Sequence, residues 1–108
     1  MEANKIIITG GATRIGAAIA EKLSGPGKEI VIHFNRSKAK AEKLKKKLSK
    51  NRAKIYLVKG DLNKEEDINK IVKFAKSKLK YFDCLINNAS LFENDKIEIS
   101  RLIAGVNI

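Results

Sequence analysis

The amino-acid sequence predicts an α/β fold, a doubly wound parallel sheet built in the order βαβαβαβ. Three observations lead there. Four short runs rich in isoleucine and valine lack apolar/polar alternation, as strands covered on both faces do. Three amphipathic segments of helical period separate these runs. The connections are short, and such an array closes as a parallel sheet with right-handed crossovers.

The first strand is "KIIIT" (5–9), which breaks into the glycine turn "GGAT". In the helical pattern that follows, 15–23, Ile15, Ala18, Ile19 and Leu23 share a face, and Gly25-Pro26-Gly27 stops it. "EIVIH" (29–33) is the second strand. Residues 38–50 form the second helix, with Ala41, Leu44 and Leu48 on its apolar side and Ser37 placed to cap it. "KIYLV" (54–58) is the third strand. The third helix, 64–80, carries Ile68, Ile71, Val72, Ala75 and Leu79 at the i, i+3, i+4 spacing. Asn63 and Glu66, three residues apart, have the form of a capping box at its start. "DCLIN" (83–87) is the fourth strand. A chain of 108 residues, 44% hydrophobic and 32% charged, with no repeat and no linker, fits one globular domain, 1–108.

No apolar stretch reaches the roughly 18 residues of a membrane-spanning helix, and the N-terminus lacks the form of a signal peptide. The expected setting is cytoplasmic, which suits a single cysteine, Cys84, read as a core residue of the fourth strand. The net charge of +11 raises the question of nucleic acid. Its distribution answers against specific nucleic-acid binding. The lysines of "KAKAEKLKKKLSK" lie opposite an apolar helical face, and no aromatics alternate with them to stack on bases. No His/Cys cluster has the spacing of a metal site, and His33 reads as a strand-end residue.

The turn Thr9-Gly10-Gly11-Ala12-Thr13 follows a strand and opens a helix, with Gly16 in the helix's first turn. Unpaired N–H groups and the helix dipole at such a start attract a phosphate, and small residues let backbone approach it. In this context the turn reads as a dinucleotide site. The end of the second strand selects among dinucleotides. A carboxylate there would bind the ribose 2′-OH of NAD, whereas NADP needs a cation for its 2′-phosphate. Between Ile30 and Ala41 there is no Asp or Glu, but Asn35, Arg36 and Ser37 stand where a phosphate would lie. The expected cofactor is therefore NADPH in preference to NADH.

"TGGATRIG" resembles the first turn of the short-chain dehydrogenase/reductase family, Thr-Gly-x-x-x-Gly-x-Gly, with Arg14 at the middle glycine. That arginine is similar to the one in the pteridine reductase branch, where it helps bind the extra phosphate. The resemblance implies a Rossmann-like fold and places Ile15 and Gly16 with Thr9, Gly10, Gly11, Thr13 and Arg14 at the cofactor. It assigns Asp61 of "GDL", with Leu62, to the adenine. "NNAS" resembles the family's Asn-Asn-Ala-Gly, so Asn88, Ala89 and Ser90 would line the adenosine and ribose side, Asn87 helping to hold the sheet centre. "AGVNI" resembles a later Val-Asn segment and makes Asn107 the candidate for supporting a proton relay.

By the same resemblance, the complete enzyme would pass hydride from NADPH to a small-molecule carbonyl or a pterin-type C=N. Its serine and Tyr-x-x-x-Lys are not found: Tyr56 is followed at the fourth position by Gly60, and Tyr81 by Leu85. The chain is expected to be a truncated, cofactor-binding front half, inactive alone. The alternative is a non-catalytic NADP-binding module, or a subunit completed by another chain. The topology implies the strand order 3-2-1-4, which leaves the fourth strand as an apolar edge through which copies could associate.

Overall fold

The computed structural model describes residues 4–88 and contains the predicted elements in the predicted order. They are β1 (Lys5–Thr9), α1 (Arg14–Leu23), β2 (Glu29–Phe34), α2 (Lys38–Ser49), β3 (Lys54–Lys59), α3 (Glu65–Leu79) and β4 (Cys84–Asn87). All strands are parallel, in the order β3-β2-β1-β4. β1 is interior, with Ile7 in register with Val31 on one side and Leu85 on the other.

Successive side chains of a strand point to opposite faces, so an unbroken apolar strand supplies two cores at once. Ile7, Val31 and Val58 pack with Ile68, Ile71, Val72, Ala75 and Leu79 of α3. Ile6, Ile8, Ile30, Ile32 and Ile55 pack the other way, with Ala20 of α1 and Leu44 and Leu48 of α2. Cys84 is half-buried against this second cluster. The missing alternation in the sequence is the signature of these two covered faces.

The apolar faces of α2 and α3 are the expected ones; that of α1 is so only in part, because Ile19 and Leu23 pack against the second cluster while Ile15 and Ala18 are exposed. Gly16 and Ala20 are its buried residues, and Ile15 is 67% exposed. Small residues at the contact leave the larger Ile15 outside the core.

The helix starts also differ from expectation. Ser37 occupies the capping position of α2 but makes no capping bond; its φ of −91° and ψ of 54° lie outside the extended backbone of a cap. The capping position of α3 is Lys64, and Asn63 and Glu66 form no box. Two aspartates order this connection instead. Asp67 Oδ2 accepts from the Asp61 N–H at 2.8 Å, and Asp61 Oδ1 accepts from the Asn63 N–H at 2.9 Å. Glu65, Glu66 and Asp67 then set negative charge against the positive end of the helix.

Asp83 directly precedes β4, its N–H donating to the Lys5 carbonyl at 2.8 Å. Its Oδ2 accepts from the N–H groups of Asn4 and Lys5 at 2.7 and 2.9 Å, fastening the start of β1 to the start of β4. Those two donors hold its pKa below the ordinary carboxylate value. A depressed folded-state pKa adds stability above the unfolded value, about 4, and that part is lost as pH falls through the folded value. Asp83→Asn should therefore melt below the wild type at pH 7, with the gap narrowing at pH 3. A gap of equal size at both pH values would refute this role.

Candidate functional site

Open parallel sheets bind ligands beyond the carboxyl ends of their strands, where the strand order reverses. In this sheet the reversal lies between β1 and β4. Residues after these two strands meet there. Asn88 Nδ2 donates to the Gly10 carbonyl at 3.1 Å and to Thr13 Oγ1 at 3.2 Å. Thr13 Oγ1 donates to the same carbonyl at 2.7 Å and accepts from the Gly16 N–H at 3.4 Å, which caps α1. One strand-end earlier, the buried Thr9 hydroxyl donates to Asn87 Oδ1 at 2.9 Å. Both asparagines of "NNAS" therefore join β4 to the glycine turn.

Gly10 has φ of 62°, the left-handed region that glycine enters without strain. Gly16 is required by close approach: a Cβ there would press on the Gly10 carbonyl and lie 2.7 Å from Gly11 Cα and 2.8 Å from Asn88 Nδ2. Its small size serves the close approach of α1 to the turn. Gly11 and Ala12 are likewise small for the core. A Cβ on Gly11 would meet Ile32 at 2.7 Å, and Ala12 is buried with Phe34 and Ala41. What remains for a ligand is the start of α1, where the amides of Arg14 and Ile15 have no helical acceptor. That start favours an anion.

A groove runs from this start toward α2. Thr13, Arg14, Ile15 and Lys22 line it from the side of α1, Ser37 and Lys40 from the side of α2, with Asn88 at its end. No carboxylate is among its lining residues. Lys22 and Lys40 were not among the expected site residues. Arg14, Ala18 and Lys22 stand four apart, so this stripe of α1 was readable from its spacing. Asn35 and Arg36 are exposed in the connection just before Ser37, and Arg36 does not line the groove. Asp61 and Leu62 are half-buried after β3; Leu62 packs on the α3 core, and Asp61 retains acceptor capacity beyond its bond to Asn63. Ala89, Ser90 and Asn107 lie outside the described residues.

The structure gives His33 a place that sequence reasoning missed. It is only 2% exposed, and its Nδ1 accepts from the Gly10 N–H at 3.0 Å. Its Nε2 lies 2.8 Å from the Gly60 carbonyl and so carries the proton, while its own carbonyl accepts from the Gly11 N–H at 3.0 Å. Burial pushes its pKa below the ordinary value. The tyrosines are elsewhere. Tyr81 is exposed beside Lys5 at the amino edge of the sheet, and Tyr56 lies within β3 near Lys78. Among the described residues no group of His, Cys, Asp and Glu could hold a metal, and no helix is long and apolar enough to cross a membrane.

Comparison with known proteins places this geometry in context. The chain is 35% identical over 86 residues to a farnesol dehydrogenase of Aedes aegypti, across 79% of this chain and 35% of that protein. It is 29% identical over 89 residues to the short-chain dehydrogenase/reductase homolog YusS of Bacillus subtilis, across 82% of each. The crystal structure of FolM alternative dihydrofolate reductase 1 from Brucella canis, complexed with NADP, matches with a TM-score of 0.80 at 27% identity. That match covers 95% of this chain and 49% of FolM. The chain thus spans about a third of the farnesol dehydrogenase and half of FolM. The short chain dehydrogenase family profile matches residues 4–104. By that match the chain belongs to the short-chain dehydrogenase/reductase family.

Proposed function

We propose that residues 1–108 are an NADPH-binding domain, the cofactor-holding front of a short-chain reductase. The observation that carries this reading is the cationic groove between α1 and α2, lined by Arg14, Lys22 and Lys40 with Ser37, beside a β2 end that has no carboxylate up to Ala41. A 2′-phosphate fits such a place, and a bare 2′-OH finds no acceptor of the usual kind there. The first-turn amides of α1 and the Thr13 hydroxyl would hold the pyrophosphate. Arg14, Arg36 and Ser37, with Asn35, would hold the 2′-phosphate, Asp61 and Leu62 the adenine, and Asn88, Ala89 and Ser90 the ribose. The NADP bound to FolM supports the cofactor.

When bound, NADPH supplies the hydride. The acceptor in the complete enzyme is a carbonyl or a pterin-type C=N, the latter supported by the dihydrofolate reductase named for FolM. Asn107 would support the proton relay. This chain's residues bind and orient the nucleotide, and neither tyrosine begins a Tyr-x-x-x-Lys motif to protonate a substrate. The chain is therefore inactive alone. A second reading, a non-catalytic NADP-binding module or a subunit completed by another chain, is favoured by the reach of the YusS match over 82% of that protein. The proposal includes a cytoplasmic setting, which suits the free thiol of Cys84, and self-association along the outer edge of β4.

Fluorescence titration of the full chain with NADPH and NADH tests the cofactor. NADPH should bind more tightly, and Arg14→Ala or Arg36→Ala should each lower its affinity about tenfold, the worth of one charge-assisted hydrogen bond. NADH affinity should stay unchanged. Equal affinities in the wild type would overturn the NADPH assignment, and no binding of either nucleotide would overturn the domain's proposed role.

A further inference from the structure

His33 is the buried titratable side chain whose partners all belong to the loops of the proposed site. Its ring lies between two of them: the glycine turn after β1, through Gly10, and the connection after β3, through Gly60. The two bonds demand opposite things of the ring. Nδ1 must carry a lone pair to accept from Gly10, while Nε2 must carry a proton to donate to Gly60. Only the neutral Nε2–H tautomer does both. The imidazolium keeps the bond to Gly60 but sets an N–H against the Gly10 N–H, and the turn must move away.

We propose that His33 is a positioning residue for nucleotide binding: its neutral ring holds the glycine turn in the shape that receives the pyrophosphate, and proton uptake releases that turn. This inference rests on the NADPH-binding reading and names how the same site is held. The charged surroundings do not reverse it. On the β3–α3 connection, Asp61 and the Gly60 carbonyl favour protonation, but burial outweighs them. Asp67 of α3 is held on the Asp61 amide, and Lys59 of β3 is exposed. The glycine turn carries no charge before Arg14, which is exposed, as is Arg36 beyond the end of β2. The Gly10 N–H itself disfavours the charged ring. With the folded pKa below 6.5, the stabilisation is complete above about 6.5 and is lost as pH falls through the folded value.

The test is a calorimetric titration of the full chain with NADP, the oxidised form, between pH 8 and pH 5. The 2′-phosphate also titrates near pH 6, so the readout is the difference between wild type and His33→Asn measured on the same nucleotide. Asparagine offers a side-chain oxygen near the Nδ1 position and does not titrate. Affinities should agree within about threefold at pH 8, and the wild type should then lose affinity more steeply than the variant as pH falls through the folded value of the ring, by at most about tenfold per pH unit, the limit for one linked proton. A second measurement needs no variant: in the nucleotide-free wild type, the Gly10 amide resonance should titrate together with the His33 ring nitrogens, which should show the Nε2–H tautomer at pH 8. Identical pH profiles for the two proteins, or an invariant Gly10 amide, overturn the positioning role alone. Absence of NADP binding at pH 8 overturns the nucleotide reading and the role with it.

Discussion

Gly16→Ala is expected to reduce nucleotide affinity at least a hundredfold and to destabilise the domain by about 2–4 kcal/mol. The obstacle is backbone and a fixed amide, not the end of a flexible side chain. The added methyl would press on the Gly10 carbonyl, the oxygen on which Thr13 and Asn88 converge, and on Gly11 Cα. Relief requires moving either α1 or the turn, and each movement separates the helix start from the residues that frame it. Gly25→Ala is the control, because a Cβ there meets nothing within 4 Å. Its stability should lie within about 0.5 kcal/mol of the wild type. Paired nucleotide titrations and urea denaturation measure both effects. A Gly16→Ala protein that binds normally would refute the tight-turn account of this residue.

Ile7→Ala should have the largest effect on stability, a loss of about 3–4 kcal/mol. Ile7 is fully buried on the interior strand, between the neighbouring strands and α3, so the vacated volume cannot collapse without moving several elements. Each kcal/mol lowers the Tm of a domain this size by roughly 4–8 °C, so a fall of ten degrees or more is expected. Ile15→Ala removes the same atoms from a residue eight positions on that is 67% exposed. It should change stability by less than about 0.5 kcal/mol. Similar losses for the two variants in denaturant melts would contradict the assignment of Ile15 to the groove wall.

The sheet was legible because its strands are apolar without interruption, and that pattern has few other uses in a short chain. The faces of α2 and α3 were legible because large side chains repeat at helical spacing. Ile15 misled for a related reason: periodicity records size and polarity, and the buried residues of α1 are Gly16 and Ala20, which carry little of either, while Ile19 and Leu23 pack at the margin of the core. At the site, residue types indicated an anion but not which neighbour each residue serves. Gly11 and Gly16 look alike in sequence, yet one is small for Ile32 and the other for a carbonyl. His33 was unreadable because both its ring partners, Gly10 and Gly60, are backbone groups brought close only by strand pairing. The pairing of Asp61 with Asp67 at the start of α3 escaped notice because Asn63 and Glu66 offered a more familiar pattern.

The clasp of Asn88 on Gly10 has a consequence in time. The partners are separated by 78 residues, and β1 needs both of its neighbours to be complete. During synthesis at about 5–20 residues per second, the glycine turn leaves the ribosome roughly 4 to 16 s before the asparagine that fixes it. Pairing of parallel strands so far apart is also among the slower closures. The earliest part of the site to be made is thus the last to acquire its shape. A nucleotide that favours the clasped form stabilises it by mass action, so its uptake during translation would mark the arrival of β4.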